Sequence, residues 1–276
     1  MIRNLFSILF FLSLLLPAAA ADRQAVLPIF DSHSHFKSEE AGEFSPADIV
    51  ALLDQQTIER MVIVGEPADR AMSLYRYAPE RFVPFLGLYR SYREKGSWMF
   101  DAALPARLRS QLEQGNYAGI GEVHIFAPQI NSPVFKEVVA LADEYDLPLL
   151  LHGDAAVIDR VFKWFPDMQI IWAHLGTQPQ AGVIHEMLNR YPESLFIDTS
   201  VRDERFEVDG ELLPEWRSLF IQHADRLLVG IDTYSLQRWQ RIDEVTRRIR
   251  HWLDQLPKDV ARKLAYENAR SLFVKD

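Results

Sequence analysis

The sequence predicts a single α/β domain closed as a (β/α)8 TIM barrel, on three observations. Eight short runs rich in Val, Ile, Leu and Phe alternate with longer segments of helical period. The runs are almost wholly apolar, as parallel strands are when helices cover their outer face. After the leader described below, about 255 residues remain, a common size for such a barrel, and no Gly/Ser-rich or Pro-rich linker divides them. An open, doubly wound sheet is the rival arrangement. It is disfavoured because no GxGxxG or Walker A sequence marks a nucleotide crevice.

Positions 1–21 read as an export signal. Arg3 is the sole charge before Asp22, the stretch 5–16 is apolar apart from Ser7 and Ser13, and Pro17 leads into Ala18-Ala19-Ala20-Ala21. Twelve helical residues rise about 18 Å, too short for a hydrocarbon core of about 30 Å, so no stable membrane anchor is expected after processing. The remaining domain, 22–276, is expected in a bacterial periplasm. Its strands are expected at 26–31, 60–64, 82–88, 118–123, 148–151, 169–173, 195–198 and 226–230. Amphipathic segments fill the intervals, and two more, 237–255 and 258–273, close the chain. Ser45-Pro46-Ala47-Asp48 offers a capping serine, proline at the first helical position and an acid two residues on. Ser132-Pro133 repeats the device.

Composition narrows the function. The chain contains no cysteine, which removes disulfides, thiolate metal sites and cysteine nucleophiles together. A formal net charge of −9 argues against a protein living on nucleic-acid backbones, where lysine and arginine supply the affinity. A small-molecule substrate is the expected partner; the oligomeric state is not legible.

Of the eight histidines, His185, His223 and His251 fall in expected helices. The other five gather after strands: His33 and His35 after strand 1, His124 after strand 4, His152 after strand 5 and His174 after strand 6. Asp232 follows strand 8. In a parallel barrel these strand ends ring one mouth, where active sites form. In extended chain, residues i and i+2 point to one side, so His33 and His35 can share a cation. Asp31 lies on that side one layer lower, placed to accept the second ring N–H of a histidine. Glu122 and His124 are a second i, i+2 pair. A buried glutamate after Gly-Ile-Gly is costly unless paired or bound to metal. Neutral imidazoles with carboxylates suit Zn²⁺, with Mn²⁺ or Fe²⁺ as alternatives, in one ion or two.

Asp31-Ser32-His33-Ser34-His35 resembles the D-x-H-x-H signature of the amidohydrolase superfamily. Leu149-Leu150-Leu151-His152 and Ile171-Trp172-Ala173-His174-Leu175-Gly176 resemble its strands 5 and 6. Phe196-Ile197-Asp198-Thr199-Ser200 and Leu227-Leu228-Val229-Gly230-Ile231-Asp232 resemble strands 7 and 8 of the amidohydrolase-related, decarboxylase-like branch. Tyr266-Glu267-Asn268-Ala269-Arg270-Ser271-Leu272-Phe273 is similar to the closing helix. The resemblance implies that His33 and His35 bind metal with His152 as a further ligand. It makes His174 either a second-metal ligand or a catalytic group beside the polarised oxygen, and Asp232 the general base, also within reach of metal. Gly119-Ile120-Gly121-Glu122 is similar to the TatD-like form of strand 4 and implies Glu122 as a ligand; it gives His124 no role.

These readings describe a metal-dependent hydrolase in which a metal-activated water, with Asp232 as base, attacks a small amide, ester, lactone or phosphoester. A non-oxidative decarboxylase of the same superfamily, a TatD-like nuclease and a noncatalytic periplasmic metal- or ligand-binding protein are the alternatives. Arg90, in the loop after strand 3, is the candidate anion receptor. Tyr92 and Trp98 in that loop are candidates for an apolar wall, and Tyr234 for a further substrate contact. The segment 202–211, with five acids and two arginines, reads as a solvated loop.

Overall fold

The computed structural model describes residues 26–274, so the expected export signal lies outside the described residues. Eight parallel strands follow one another around the sheet: β1 (Ile29–Lys37), β2 (Ile58–Glu66), β3 (Phe82–Leu86), β4 (Gly119–His124), β5 (Leu149–His152), β6 (Ile170–Trp172), β7 (Leu195–Asp198) and, after a two-stranded hairpin, β10 (Leu227–Leu228). The seam between β10 and β1 is joined by backbone. Ser32 N–H donates to the Val229 carbonyl at 2.9 Å and Asp232 N–H to that of His33 at 2.6 Å. The chain is a TIM barrel, and no helix among the described residues is long and apolar enough to cross a membrane.

The period of two along the strands builds two separate cores. Met61, Ile63, Leu149 and Leu151 face the surrounding helices, while Val62, Val64 and Leu150 face the lumen with Phe30, Phe85, Ile171 and Leu228. The lumen floor is filled by the last helix, Asn268–Phe273, whose Phe273 ring lies 6.0 Å from that of Phe30 and 5.7 Å from that of Phe85. Asn268 ties this helix to the barrel by donating to the carbonyls of Ala224 (2.7 Å) and Leu227 (2.8 Å).

Both expected helix starts form. Ser45 caps Pro46–Gln55 in a reciprocal box with Asp48, and Ser132 accepts from Phe135 N–H at the start of Pro133–Glu144. Three expectations are corrected. Strand 1 runs to Lys37, because Ser34 to Lys37 go on pairing with β2, so His33 and His35 lie within the strand. Strand 8 is shorter than 226–230, the chain after Leu228 giving its hydrogen bonds to β1 and the closing segment. The acidic segment 202–211 is ordered by burial: a helical turn Asp203–Phe206 and the hairpin β8 (Glu207–Val208) and β9 (Glu211–Leu212) pack on a fully buried Phe206, with Glu207 paired to Arg248 at 3.4 Å.

Candidate metal centre

His33 and His35 reach the lumen from β1, Glu122 and His124 from the end of β4, His152 from the end of β5, His174 from just past β6, Asp198 from the end of β7 and Asp232 from the segment after β10. The strand 4 pair does not arise by plain alternation. Pairing with β5 slips between Gly121 and Val123, making Glu122 the additional residue of a bulge. Gly121 has φ 146°, and a Cβ there would stand 2.5 Å from the Leu150 carbonyl oxygen, so glycine is required.

Glu122 stands at the centre of the histidines. Its Oε1 lies 2.7 Å from His152 Nδ1 and 3.0 Å from His174 Nε2; its Oε2 lies 3.2 Å from His124 Nε2 and 3.3 Å from His35 Nε2. The Nε2 atoms of His33 and His35 face each other at 3.2 Å. Asp232 Oδ1 stands 3.4 Å from His35 Nε2 and is buried without a hydrogen-bond partner. Burial pushes the Glu122 carboxyl up, but the charges of His124 and His33 and the bonds from His152 and His174 outweigh it and hold it well below the usual range. Burial likewise opposes a charge on His33, yet Asp198, Asp232 and Glu122 raise that ring well above its usual value. For His35 burial prevails, and the ring is lowered.

Tautomers follow from the hydroxyl of Ser200. It donates to Asp198 Oδ1, so it must accept from His174 Nδ1–H, 2.8 Å away. Asp198 Oδ2 accepts from His33 Nδ1–H at 3.0 Å. With both rings neutral, as metal ligation requires, these bonds leave an Nε2 lone pair on each aimed into the pocket. Neighbouring Nε2 atoms, a carboxylate oxygen without a hydrogen-bond partner and three buried carboxylates that, among the described residues, have only histidines in ion-pair range call for a cation. The donors present therefore fit a divalent metal; His33, His35 and Glu122, like His33, His174 and Asp232, offer donor atoms within 4.8 Å of one another.

The structure thus brings His33, His35, Glu122, His152, His174 and Asp232 together. It also corrects the reading of Asp31. That carboxylate does not meet a ring N–H; it accepts from Ser34 Oγ, from His33 N–H (3.1 Å) and from Ile231 N–H (2.7 Å), and so ties β1 to the final strand segment. The ring N–H of His33 goes to Asp198, a residue the sequence analysis gave no role. Its signal was an acid ending an apolar run, with Ser200 two residues on. Arg90 is exposed, with its Nε donating to Glu94 at 2.7 Å. Tyr234 is half exposed and lines a surface cavity of about 230 Å³ beside Asp203 and Arg238. Trp98 is buried, and Tyr92 is exposed.

The amidohydrolase family model matches residues 31–274. The chain belongs to the amidohydrolase family. No curated protein matches this amidohydrolase. Its structure resembles a TatD homologue from Escherichia coli K12 (TM-score 0.64, 16% identity, 90% of this chain and 98% of that one). It also resembles a putative 2-pyrone-4,6-dicarboxylic acid hydrolase from Pseudomonas putida (0.62, 16%, 90% and 97%). A third similar structure is an amidohydrolase from Burkholderia multivorans with bound zinc (0.58, 13%, 90% and 100%). At these identities the likeness is one of fold. With the family, it makes this amidohydrolase an enzyme of that superfamily whose histidine–carboxylate cluster can hold metal.

Proposed function

We propose that this amidohydrolase is a metal-dependent hydrolase of a small amide, ester, lactone or phosphoester, with Asp232 as general base. The observation that carries the reading is Asp232 Oδ1, buried and unpartnered, 3.4 Å from His35 Nε2. A divalent cation, zinc by the character of the donors, would supply an acidified water and neutralise charge gathering on the substrate oxygen. His33, His35 and Glu122 are the residues to hold it. Asp232 Oδ1 accepts the proton of the attacking water and returns it to the leaving group. His174, its Nδ1–H fixed by Ser200, turns Nε2 toward Glu122 and Asp232 Oδ2, the latter at 3.9 Å. The zinc bound in the Burkholderia structure and the hydrolase name of the Pseudomonas protein support the same reading.

The test is elemental analysis of the purified chain, followed by a panel of amides, esters, lactones and phosphoesters in the metal found. Asp232→Asn is expected to lower turnover by about 10²–10⁴-fold while keeping most of the metal. A chain that takes up no divalent ion and turns over nothing after reconstitution would refute the proposal. Release of CO₂ without incorporation of water would replace it by decarboxylation.

A further inference from the structure

We propose that His185 and His223, in the outer helical layer and separate from the barrel mouth, form a site for a tetragonal divalent ion, Cu²⁺ foremost, that pins two helices together. His185 lies on the helix Ala181–Arg190, and His223 directly follows the helix Pro214–Gln222. The two imidazoles meet edge to face, with His185 Nδ1 standing 3.0 Å from His223 Nε2. That separation serves a hydrogen bond, and it also serves one ion held between two lone pairs. Nitrogen–metal bonds of about 2.0–2.1 Å set at right angles place their nitrogens about 2.9 Å apart, whereas tetrahedral bonds place them about 3.4 Å apart. Nitrogen ligands at right angles belong to square-planar and tetragonal ions, among which Cu²⁺ binds imidazole most tightly.

The surroundings hold both rings as ligands are held. His223 is buried, and its backbone is fixed on both sides: its N–H donates to the Leu219 carbonyl and its carbonyl accepts from Arg226 N–H, each at 3.0 Å. His185 is half-buried, which lets water complete the coordination. Asn189, one turn further along the same helix, sets its Nδ2 2.9 Å from His185 Nε2. With that amide donating, the His185 proton sits on Nδ1 and is shared with His223 Nε2. A metal on Nδ1 requires the proton on Nε2 instead, reached by exchange with solvent. A half-turn of the Asn189 amide then presents Oδ1 to accept it. One side chain thus supports both tautomers, the part an outer partner plays for a metal-bound imidazole. Asn189 is exposed and serves here as a positioning residue.

The experiment titrates the full chain, reconstituted with Zn²⁺ and desalted, with Cu²⁺ against glycine as competitor, read by electron paramagnetic resonance. The wild type is expected to bind Cu²⁺ with an axial spectrum split by imidazole nitrogen. His185→Gln and His223→Gln should each loosen that ion at least about tenfold. The difference from wild type assigns the ion to this pair and not to the barrel mouth. Asn189→Asp supplies a carboxylate that accepts from Nε2–H without turning, and should tighten the ion about tenfold; a pair that only shares a proton gives no such gain. If a histidine variant does not fold, Asn189→Asp decides, since its side chain is exposed. Equal Cu²⁺ affinity in wild type and variants, or a spectrum without imidazole nitrogen, overturns the site.

Discussion

A single carboxylate sets the protonation of two imidazoles. Asp198 takes the Nδ1–H of His33 directly and orders that of His174 through Ser200. Burial raises this acid, but the His33 charge and hydrogen bond bring it down to about 2, so it stays an acceptor. Asp198→Asn presents an amide that can donate where only acceptance fits. It is expected to weaken metal affinity about 10–100-fold, read by chelator competition; unchanged affinity would deny the residue this role. Gly230 packs behind the same group: a Cβ there would lie 2.9 Å from Ser200 Cβ, 3.1 Å from Asp198 Oδ1 and 3.2 Å from His33 Cβ. Gly230→Ala should therefore cost about 1–3 kcal/mol in denaturant unfolding and loosen metal binding together. His174 and Asp232 themselves sit at φ 62° and 54°, left-handed backbone that side chains rarely adopt and that clusters at functional sites. These features differ in how openly the sequence shows them. The spacing of His33 and His35 displays a shared side at once. Asp198 is one acid at a strand end, and its partner His33 stands 165 positions earlier, so no local pattern joins them.

Strands and helices carry the intended residues by different routes. Period two, with β1 longer than its apolar run, delivers the two histidines; a bulge at Gly121 delivers Glu122. Gly119-Ile120-Gly121 marked the glutamate that follows it as a buried acid in need of a partner, but did not show that the register would slip. Tyr89, four residues beyond the Phe85 that fills the space over Gly119, gave no sign that its hydroxyl would meet strand 4. Helix starts were more legible, because a cap is written in adjacent residues. Ser45 and Asp48 form their box as spaced, and the hydrogen bonds from the Ser45 hydroxyl and then its N–H hold the Asp48 carboxyl below its ordinary 3.8. A depressed acid stabilises the fold above its unfolded pKa and ceases to do so as pH falls through the folded one. The melting-temperature gap between wild type and Asp48→Asn is thus expected to be widest near neutrality and to narrow below pH about 3.8. A gap that does not change with pH would show that the charge plays no part. Arg90 pairs with Glu94 four residues on, a spacing visible in the sequence, though the loop's short 3-10 turns were not.

For the whole molecule, binding of the proposed cation would be coupled to folding, since the site draws on β1, β4, β5, β6, β7 and the segment after β10. A ligand at a hundred times its Kd adds about 2.7 kcal/mol to the folded state. A strong chelator is accordingly expected to lower the melting temperature and added zinc to restore it; equal temperatures with and without metal would separate the site from stability. The barrel itself was legible because eight apolar runs and their helices repeat at one rhythm. The floor was less so, since Phe273 acts through Phe30 and Phe85, far away in sequence. The strap from Asp31 to the Ile231 N–H spans 200 positions. During synthesis, then, a ribosome that has released the chain as far as β7 has delivered every histidine of the cluster together with Glu122, yet neither Asp232 nor the partner of Asp31. Translation halted there would yield a fragment that carries the proposed histidine and glutamate ligands, with its cylinder unsealed and its proposed base still unmade.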